Sequence, residues 1–416
     1  MKVRTVRERD RIQIGGSATD LTKAEASAIS KVAPMLPSGA LLWEHRALRI
    51  GSYCGILTAG DLVLEILPKI AHERPGDADA RGVLVAMLRA AGHLVDTPVG
   101  SAPLEVQKMH LLDVFVLDFC ERVNALLRGG AIRSYELREE NIGVLRGRLN
   151  LAEHLRLNLI DRGRMHCRFD EFSADNPYNR ALKAVLVRLL SHPLGQQAKG
   201  AVNSLLRRME DVSTWPCSAA DIKTLHFDRL TRAWEPVFGR GSLFMRGLYP
   251  DVRVGKDEGA CLLFDMEHLF EAFVGAKLRR SWRAAVGAHV SLQGPQRYFA
   301  AGSAGPAFRM RPDITVVASD GRVKRIYDTK WKRRDAAVAN RGVTHDDIYQ
   351  MASYAGRYDC NRLALLYPRD KEAAPGLLES FDLHSLSIPL VEVYVLDLLA
   401  LVRGEQMPSG LCPPGR

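Results

Sequence analysis

The sequence predicts an α+β multidomain protein: a β-rich N-terminal domain over residues 1–105, a mostly helical middle region over 106–260, and a C-terminal α/β domain over 261–416. Three observations carry this expectation. Short β-branched runs punctuated by glycine dominate the N-terminal part. From Leu104 to about Met209, apolar residues recur at spacings of three and four. Beyond Cys261, helical and strand patterns alternate, as in a mixed sheet flanked by helices. At 416 residues there is ample chain for a core in each part.

In the N-terminal part, Arg11–Ile14, Ala47–Ile50, Tyr53–Leu57 and Leu62–Leu67 read as strands, and Pro68 stops the last of them. Residues 22–34 and 81–92 suit helices. Nothing here offers a nucleophile, a metal cluster or a phosphate loop, so a structural or docking role fits. In the middle region Val106–Leu127 is amphipathic and closes at Gly129 and Gly130. Ala181–Leu190 is a second such helix, ended by His192 and Pro193. Between them, Asp175–Asn179 reads either as a helix N-cap or, with Arg180, as part of a packed junction. Residues 210–260, with Trp-Pro and glycine signals, suit a linker or an interdomain surface.

The C-terminal order is a helix over 262–282, strands over 288–292, 308–317 and 323–330, a helix over 345–357 and a strand over 361–367. Val391–Leu401 closes it as strand or helix, and the tail from Met407 suits disorder. Within this order lies the stretch that carries chemistry. Arg311-Pro-Asp313 leads into the β-branched run Ile314–Val317, then the turn Ser319-Asp-Gly321, then a second strand ending in Asp328-Thr-Lys330. Pairing the two strands brings Asp313 beside Asp328, and the period of two puts Lys330 on the Asp328 face. Two carboxylates and an ammonium on one face suit metal-dependent phosphodiester hydrolysis, with the acids on Mg²⁺ and the lysine at the developing charge. This is the PD-x(n)-D-x-K pattern. An ordinary Asp328–Lys330 salt bridge on a surface hairpin has the same spacing.

Neighbouring segments add to it. Leu262–Val274 places Glu267 and Glu271 on one helical face, and Asp346–Tyr354 places Gln350 and Tyr354 one turn apart. Taken in order, the Phe-Glu helix, Arg-Pro-Asp, Asp-Thr-Lys-Trp-Lys and Tyr-Gln-Met-x-x-Tyr resemble the McrC subunits of McrBC-type, modification-dependent restriction systems. Leu64–Lys69, Leu145–Leu149 and Phe169–Arg180 resemble the same family in the same order, so the likeness covers roughly residues 60–370. It implies a restriction-endonuclease-like PD-(D/E)xK fold for the C-terminal domain. It also implies that the N-terminal domain docks on an AAA+ partner, a McrB-type GTPase hexamer that binds the GTP and is stimulated by this chain. The implied roles are Asp313, Asp328 and the Thr329 carbonyl on Mg²⁺, Lys330 as electrostatic or water-positioning group, and Glu271 as the upstream acid with Glu267 as its fallback. Gln350 and Tyr354 resemble the Gln-x-x-x-Tyr element that contacts DNA in RecB-like nucleases, although Tyr354 reads equally as core.

Composition bounds the partners. With 47% hydrophobic and 25% charged residues the chain reads as soluble and globular, and no run approaches the ~20 apolar residues of a membrane span, so a cytoplasmic location is expected. The net charge of +10 favours a polyanion such as double-stranded DNA. Seven of fourteen residues from Gly321 to Arg334 are Lys or Arg. This run is either a solvated face or a DNA-backbone rail of Arg322, Lys324, Arg325, Lys332, Arg333 and Arg334. The seven scattered cysteines have no zinc spacing and read as reduced thiols. No Gly-x-x-x-x-Gly-Lys-Ser/Thr loop is present, so nucleotide hydrolysis falls to a partner. Two other functions remain open: a stand-alone RecB-like or resolvase-type nuclease, and a non-catalytic DNA-binding adaptor that activates an AAA+ motor.

Overall fold

A computed structural model describes residues 2–17, 20–70, 76–94, 109–160, 163–245, 262–283, 285, 287–332, 334, 338–370, 373–383 and 390–413. The chain divides into two compact units, Leu112–Ala260 on the one hand and Lys2–Leu111 with Cys261–Arg416 on the other. The N-terminal part is thus not set apart from the C-terminal part, as three consecutive domains would require.

The reason lies in strand pairing. The N-terminal strands are β1 (Lys2–Arg7), β2 (Arg11–Gln13), β3 (Leu41–Glu44), β4 (Ala47–Ile50), β5 (Tyr53–Ala59) and β6 (Leu62–Leu67). β6 is buried along its whole length, as expected of a β-branched run covered on both faces. Its one acid, Glu65, is matched by a bidentate Arg81 at 2.8 Å and by the Leu111 N–H at 2.8 Å. β1 lies parallel to β6, and β5 lies antiparallel to it.

The Leu112–Ala260 unit adds β7 (Ser134–Ile142), β8 (Arg148–Leu149) and β9 (Met165–Ser173), an antiparallel sheet in the order β7-β9-β8. The described part of the middle region is mostly helical as expected, and this sheet is what that expectation lacked. β7 alternates half-buried and exposed positions over most of its length, a period of two that the flanking helices mask in a coarse reading. The same unit contains the helices Leu111–Arg128, Pro177–Leu190, Gln196–Arg207 and Glu235–Met245, of which Pro177–Leu190 packs against the latter two. Asn176 caps Pro177–Leu190 by accepting the Asn179 N–H at 3.1 Å, and Asp175 pairs with Arg180 at 2.7 Å, so the cap is what forms there.

β10 (Leu262–Asp265) then joins the N-terminal sheet as its fourth strand, antiparallel to β5. Gly55 permits this: a Cβ there would lie 1.8 Å from the Leu262 carbonyl oxygen. The helix expected from residue 262 therefore starts at Met266, capped by Asp265, and runs to Trp282.

The remaining strands are β11 (Ala288–Leu292), β12 (Arg297–Gly302), β13 (Gly305–Met310), β14 (Ile314–Ala318), β15 (Val323–Thr329), β16 (Arg362–Pro368), β17 (Gly376–Asp382) and β18 (Leu390–Leu396). Six of them form a mixed sheet in the order β11-β14-β15-β16-β18-β17. β14 is antiparallel to β15, whereas β15, β16 and β18 are parallel, with the His345–Tyr358 helix crossing over from β15 to β16. Met351, Tyr354, Ala355 and Tyr358 bury that helix against Ile326, Leu363 and Leu365.

Two expectations are corrected here. The single strand over 308–317 is two strands: Pro312 has no N–H to give a ladder, so β13 ends before it and pairs with β12 in a separate hairpin. The tail is packed as far as residue 413, since Leu411 is fully buried and its carbonyl accepts from Trp282 Nε1 and Tyr327 OH. Among the described residues no helix is long and apolar enough to cross a membrane.

Candidate active site

Register does the first part of the assembly. β14 and β15 pair as Ile314 with Tyr327, so the next step outward sets Asp313 across from Asp328. Asp313 is held by Thr329, whose N–H and hydroxyl donate to its Oδ2 at 2.8 and 2.9 Å. Lys330, two residues beyond Asp328, brings its Nζ to 2.5 Å from Asp328 Oδ2. The Lys330 N–H is anchored on the Leu366 carbonyl of the neighbouring strand at 2.9 Å.

Burial tunes these groups. Asp328 is 1% exposed, so its contact with Lys330 is made almost out of water. Burial first, then the Asp313 charge, pushes the Asp328 carboxyl up to about 7 against the pull of Lys330. For Lys330, burial works against the charge, but Asp328, Asp347 and Asp313 together raise its pKa, so it stays an ammonium.

The two flanking helices complete the cleft. Glu271, on Met266–Trp282, is buried and accepts from the Gln293 amide. Burial, with help from Asp313, raises its pKa despite that hydrogen bond. Gln350, on His345–Tyr358, accepts from Lys330 Nζ at 2.8 Å and donates to Tyr354 OH at 3.1 Å. Tyr354 is buried and hands its own proton toward the Arg311 carbonyl at 3.5 Å. The core role of Tyr354 and its link to the site are therefore the same contact chain. The resulting cleft of about 410 Å³ is lined by Glu267, Glu271, Gln293, Arg311, Asp313, Asp328, Lys330, Asp347 and Gln350.

Three of these, Asp347, Gln293 and Arg311, were given no site role from the sequence. Asp347 accepts from Lys332 at 2.7 Å and from Tyr367 OH at 3.0 Å; burial resists its charge, but Lys332 and Thr344 outweigh it and lower its pKa. Its sequence signal was the capping box Thr344-x-x-Asp347. Arg311 stood in the Arg-Pro-Asp motif without a role of its own, and Gln293 carries no pattern that would mark it.

The basic run divides. Lys332 lines the cleft but is paired with Asp347. Arg334 is buried, bound to Asp370 and set over the Tyr367 ring at 5.5 Å. Arg325 is likewise buried on Glu392. Arg322 is exposed beyond the opposite end of β15 and pairs with Asp320 in its own turn. Arg333 lies outside the described residues. The structure therefore gathers Asp313, Asp328, Thr329, Lys330, Glu271 and Gln350 around one cleft, with Tyr354 behind Gln350, but does not bring Arg322 or Arg334 to it.

Among the described residues, no three His, Cys, Asp or Glu side chains converge as a ready-made metal cage. Mg²⁺ needs none: it is commonly held by one or two carboxylates and keeps several waters. Two adjoining carboxylates at one end of the cleft, Asp313 oriented by Thr329 and Asp328 buried with Lys330 as its ion-pair partner, are a donor set that fits such an ion.

Residues 48–368 match the family described as McrBC 5-methylcytosine restriction system component. The chain belongs to this family. It is a McrC-type chain, as its motif order implied. The type IV methyl-directed restriction enzyme EcoKMcrBC of Escherichia coli (strain K12) is 23% identical over 309 residues, which cover 72% of this chain and 84% of that protein. A chain of the refined half-complex from the tetradecameric assembly of Thermococcus gammatolerans McrB AAA+ hexamers with bound McrC shares the fold. The match covers 97% of this chain and 96% of that one, at TM-score 0.68 and 17% identity.

Proposed function

We propose that this chain is the endonuclease subunit of a GTP-dependent restriction complex directed at modified cytosine, hydrolysing phosphodiester bonds of double-stranded DNA. The observation that carries the proposal is the convergence of Asp313, Asp328 and Lys330 in one cleft, at the ends of paired strands in a PD-(D/E)xK arrangement. Asp313 and Asp328 would hold Mg²⁺, with the Thr329 carbonyl as a further oxygen and Glu271 acting through water. When bound, the ion supplies phosphate neutralisation and an acidified water.

The remaining work falls to the protein. Thr329 fixes Asp313 through two hydrogen bonds, so one carboxylate is oriented before substrate arrives. Gln350 holds the Lys330 ammonium, and that cation faces the negative charge that grows on the phosphoryl oxygens during attack. Gln293 keeps Glu271 in place at the cleft wall.

The motor is assigned to a McrB-type AAA+ GTPase hexamer, which this chain stimulates. Supporting this are the family, the absence of a phosphate loop in the sequence, and the exposed Leu42 and Trp43 on β3 as an apolar docking face in the N-terminal part. DNA and GTP as substrates place the complex in the cytoplasm.

The test is cleavage of methylated and unmethylated plasmid by the full chain with its AAA+ partner, GTP and Mg²⁺, comparing wild type with Asp328→Asn. Cutting is expected to fall by on the order of 10³-fold while stimulation of the partner GTPase persists. Undiminished cutting would move the chemistry elsewhere.

A further inference from the structure

Beside the carboxylate cleft is a second depression of about 520 Å³, lined by Phe299, Phe308, Arg309, Met310, Arg311 and Tyr354, among others. Arg311 and Gln350 line both, so the two are continuous. Its outer wall is the β12–β13 hairpin. The register Tyr298 with Arg309 and Ala300 with Ala307 sets Phe299 opposite Phe308. Both rings stand in solvent, Phe308 at 75% exposure and Phe299 at 57%.

Phe308 adds a second cost. Its φ of +56° is a left-handed conformation that a bulky side chain rarely adopts. Packing does not repay the strain, because the ring is mostly in water. The hairpin itself is firmly seated on the His345–Tyr358 helix. Arg357 Nε donates to the Tyr298 carbonyl at 2.7 Å, Arg297 Nη1 donates to the Arg357 carbonyl at 2.9 Å, and the Arg297 guanidinium covers the Tyr358 ring at 4.8 Å. By contrast, Arg309 and Arg311 are exposed and make no side-chain hydrogen bond or ion pair with the described residues. No acidic residue lines the depression.

We infer that this hairpin is a DNA clamp: Arg309 and Arg311 take phosphates next to the scissile one, and Phe299 and Phe308 press against an adjoining base step and partly unstack it. The charge favours a polyanion over an apolar protein segment, and continuity with the carboxylate cleft puts the duplex where it would be cut. The inference rests on the nuclease reading, but binding can be measured apart from cleavage.

The experiment uses the full-length chain, Ca²⁺ in place of Mg²⁺, a fluorescein-labelled duplex for anisotropy, and a duplex carrying 2-aminopurine to report unstacking. The parent is expected to bind and to raise 2-aminopurine fluorescence. Phe299→Ala with Phe308→Ala should abolish that rise and weaken binding about tenfold. Arg309→Ala should lower the slope of log K against log salt by about 0.9. Phe308→Gly should bind DNA more weakly yet show a higher urea midpoint, since glycine relieves the strained φ, and this guards against a simple folding defect. A parent that binds no duplex overturns the clamp. So do ring variants that bind DNA like the parent, including the case in which they lose the AAA+ protein instead. If the parent cuts plasmid normally while the ring variants bind unchanged, the clamp alone fails. If the parent never cuts yet the rings still govern binding, the nuclease reading alone fails.

Discussion

The strand end from Asp328 to Arg334 and the hairpin with its exit, Arg297 to Arg311, are both basic, yet they spend their cations in opposite ways. At the strand end Lys330 faces Asp328, Lys332 faces Asp347 and Arg334 faces Asp370, all buried or half-buried. In the hairpin, Arg297 is used on a backbone carbonyl of the His345–Tyr358 helix, while Arg309 and Arg311 are exposed and make no side-chain ion pair with the described residues, although Arg311 also borders the carboxylate cleft. A buried, matched cation holds other groups in position, whereas an exposed, unmatched one is available to a ligand. Charge density along the sequence does not tell the two apart.

The largest expected effect separates rate from affinity. Lys330→Ala should lower single-turnover cleavage at saturating DNA by about 10²- to 10³-fold and leave duplex affinity nearly unchanged. Arg311→Ala should do the reverse, weakening affinity with less effect on the saturated rate. If Lys330→Ala acted mainly on affinity, the strand end would be a binding rail after all, and the contrast would collapse.

Stability is the next discriminator. Arg334→Ala leaves Asp370 without its buried guanidinium and should cost about 3 kcal/mol in urea unfolding. An unchanged midpoint with weakened DNA binding would return Arg334 to the DNA interface.

These cases also mark what could be read from residues alone. Asp313, Asp328 and Lys330 were legible because a two-residue period and one turn fix their relation, and the turn at Ser319-Asp-Gly321 fixes the pairing. Glu271 and Gln350 were legible because helical spacing carried them with neighbours of the same pattern. Asp347 was not, because its capping-box role hides the fact that its other contacts reach Lys332 and Tyr367. Nor was the union of the N-terminal part with the C-terminal sheet. That union depends on β10 pairing with β5 and on Glu8 meeting Trp331, contacts separated by about two hundred residues or more, for which local pattern has no signal. β12 was missed for a simpler reason: Arg297–Gly302 is short, half alanine and glycine, and pairs only with β13.

The Glu8 contact extends the comparison to an uncharged donor. Trp331 follows Lys330 directly, and its Nε1 donates to both Glu8 oxygens at 3.0 and 2.9 Å, while the Lys69 N–H adds 3.0 Å to one of them. Burial nonetheless raises the Glu8 pKa, so the tryptophan is one of few groups offsetting the cost of that carboxylate. Trp331→Phe keeps the ring against Phe270 but removes the donor, and should cost about 2 kcal/mol in urea unfolding. Trp331→Phe combined with Glu8→Leu should recover part of the loss, since the buried acceptor goes with its donor. A double variant no more stable than Trp331→Phe would mean that the ring's shape, not the hydrogen bond, ties the two segments together.

The smallest effect is expected from the residues that looked most like a DNA rail. Arg322 precedes β15 and Asp328 lies near its other end; six residues at about 3.3 Å each separate them by about 20 Å. At physiological salt, charges screen over about 8 Å, so Arg322 and Lys324 contribute little to the potential at the cleft. Arg322 also spends its guanidinium on Asp320, in an exposed pair worth at most about 1 kcal/mol. Arg322→Ala with Lys324→Ala should therefore leave the salt slope of DNA binding, the saturated cleavage rate and the urea midpoint all close to wild type. The informative failure is specific: a slope reduced by one or more, with rate and stability unmoved, would mean that the duplex runs along the whole length of β15 rather than across the hairpin, and the clamp would have to be redrawn around that path.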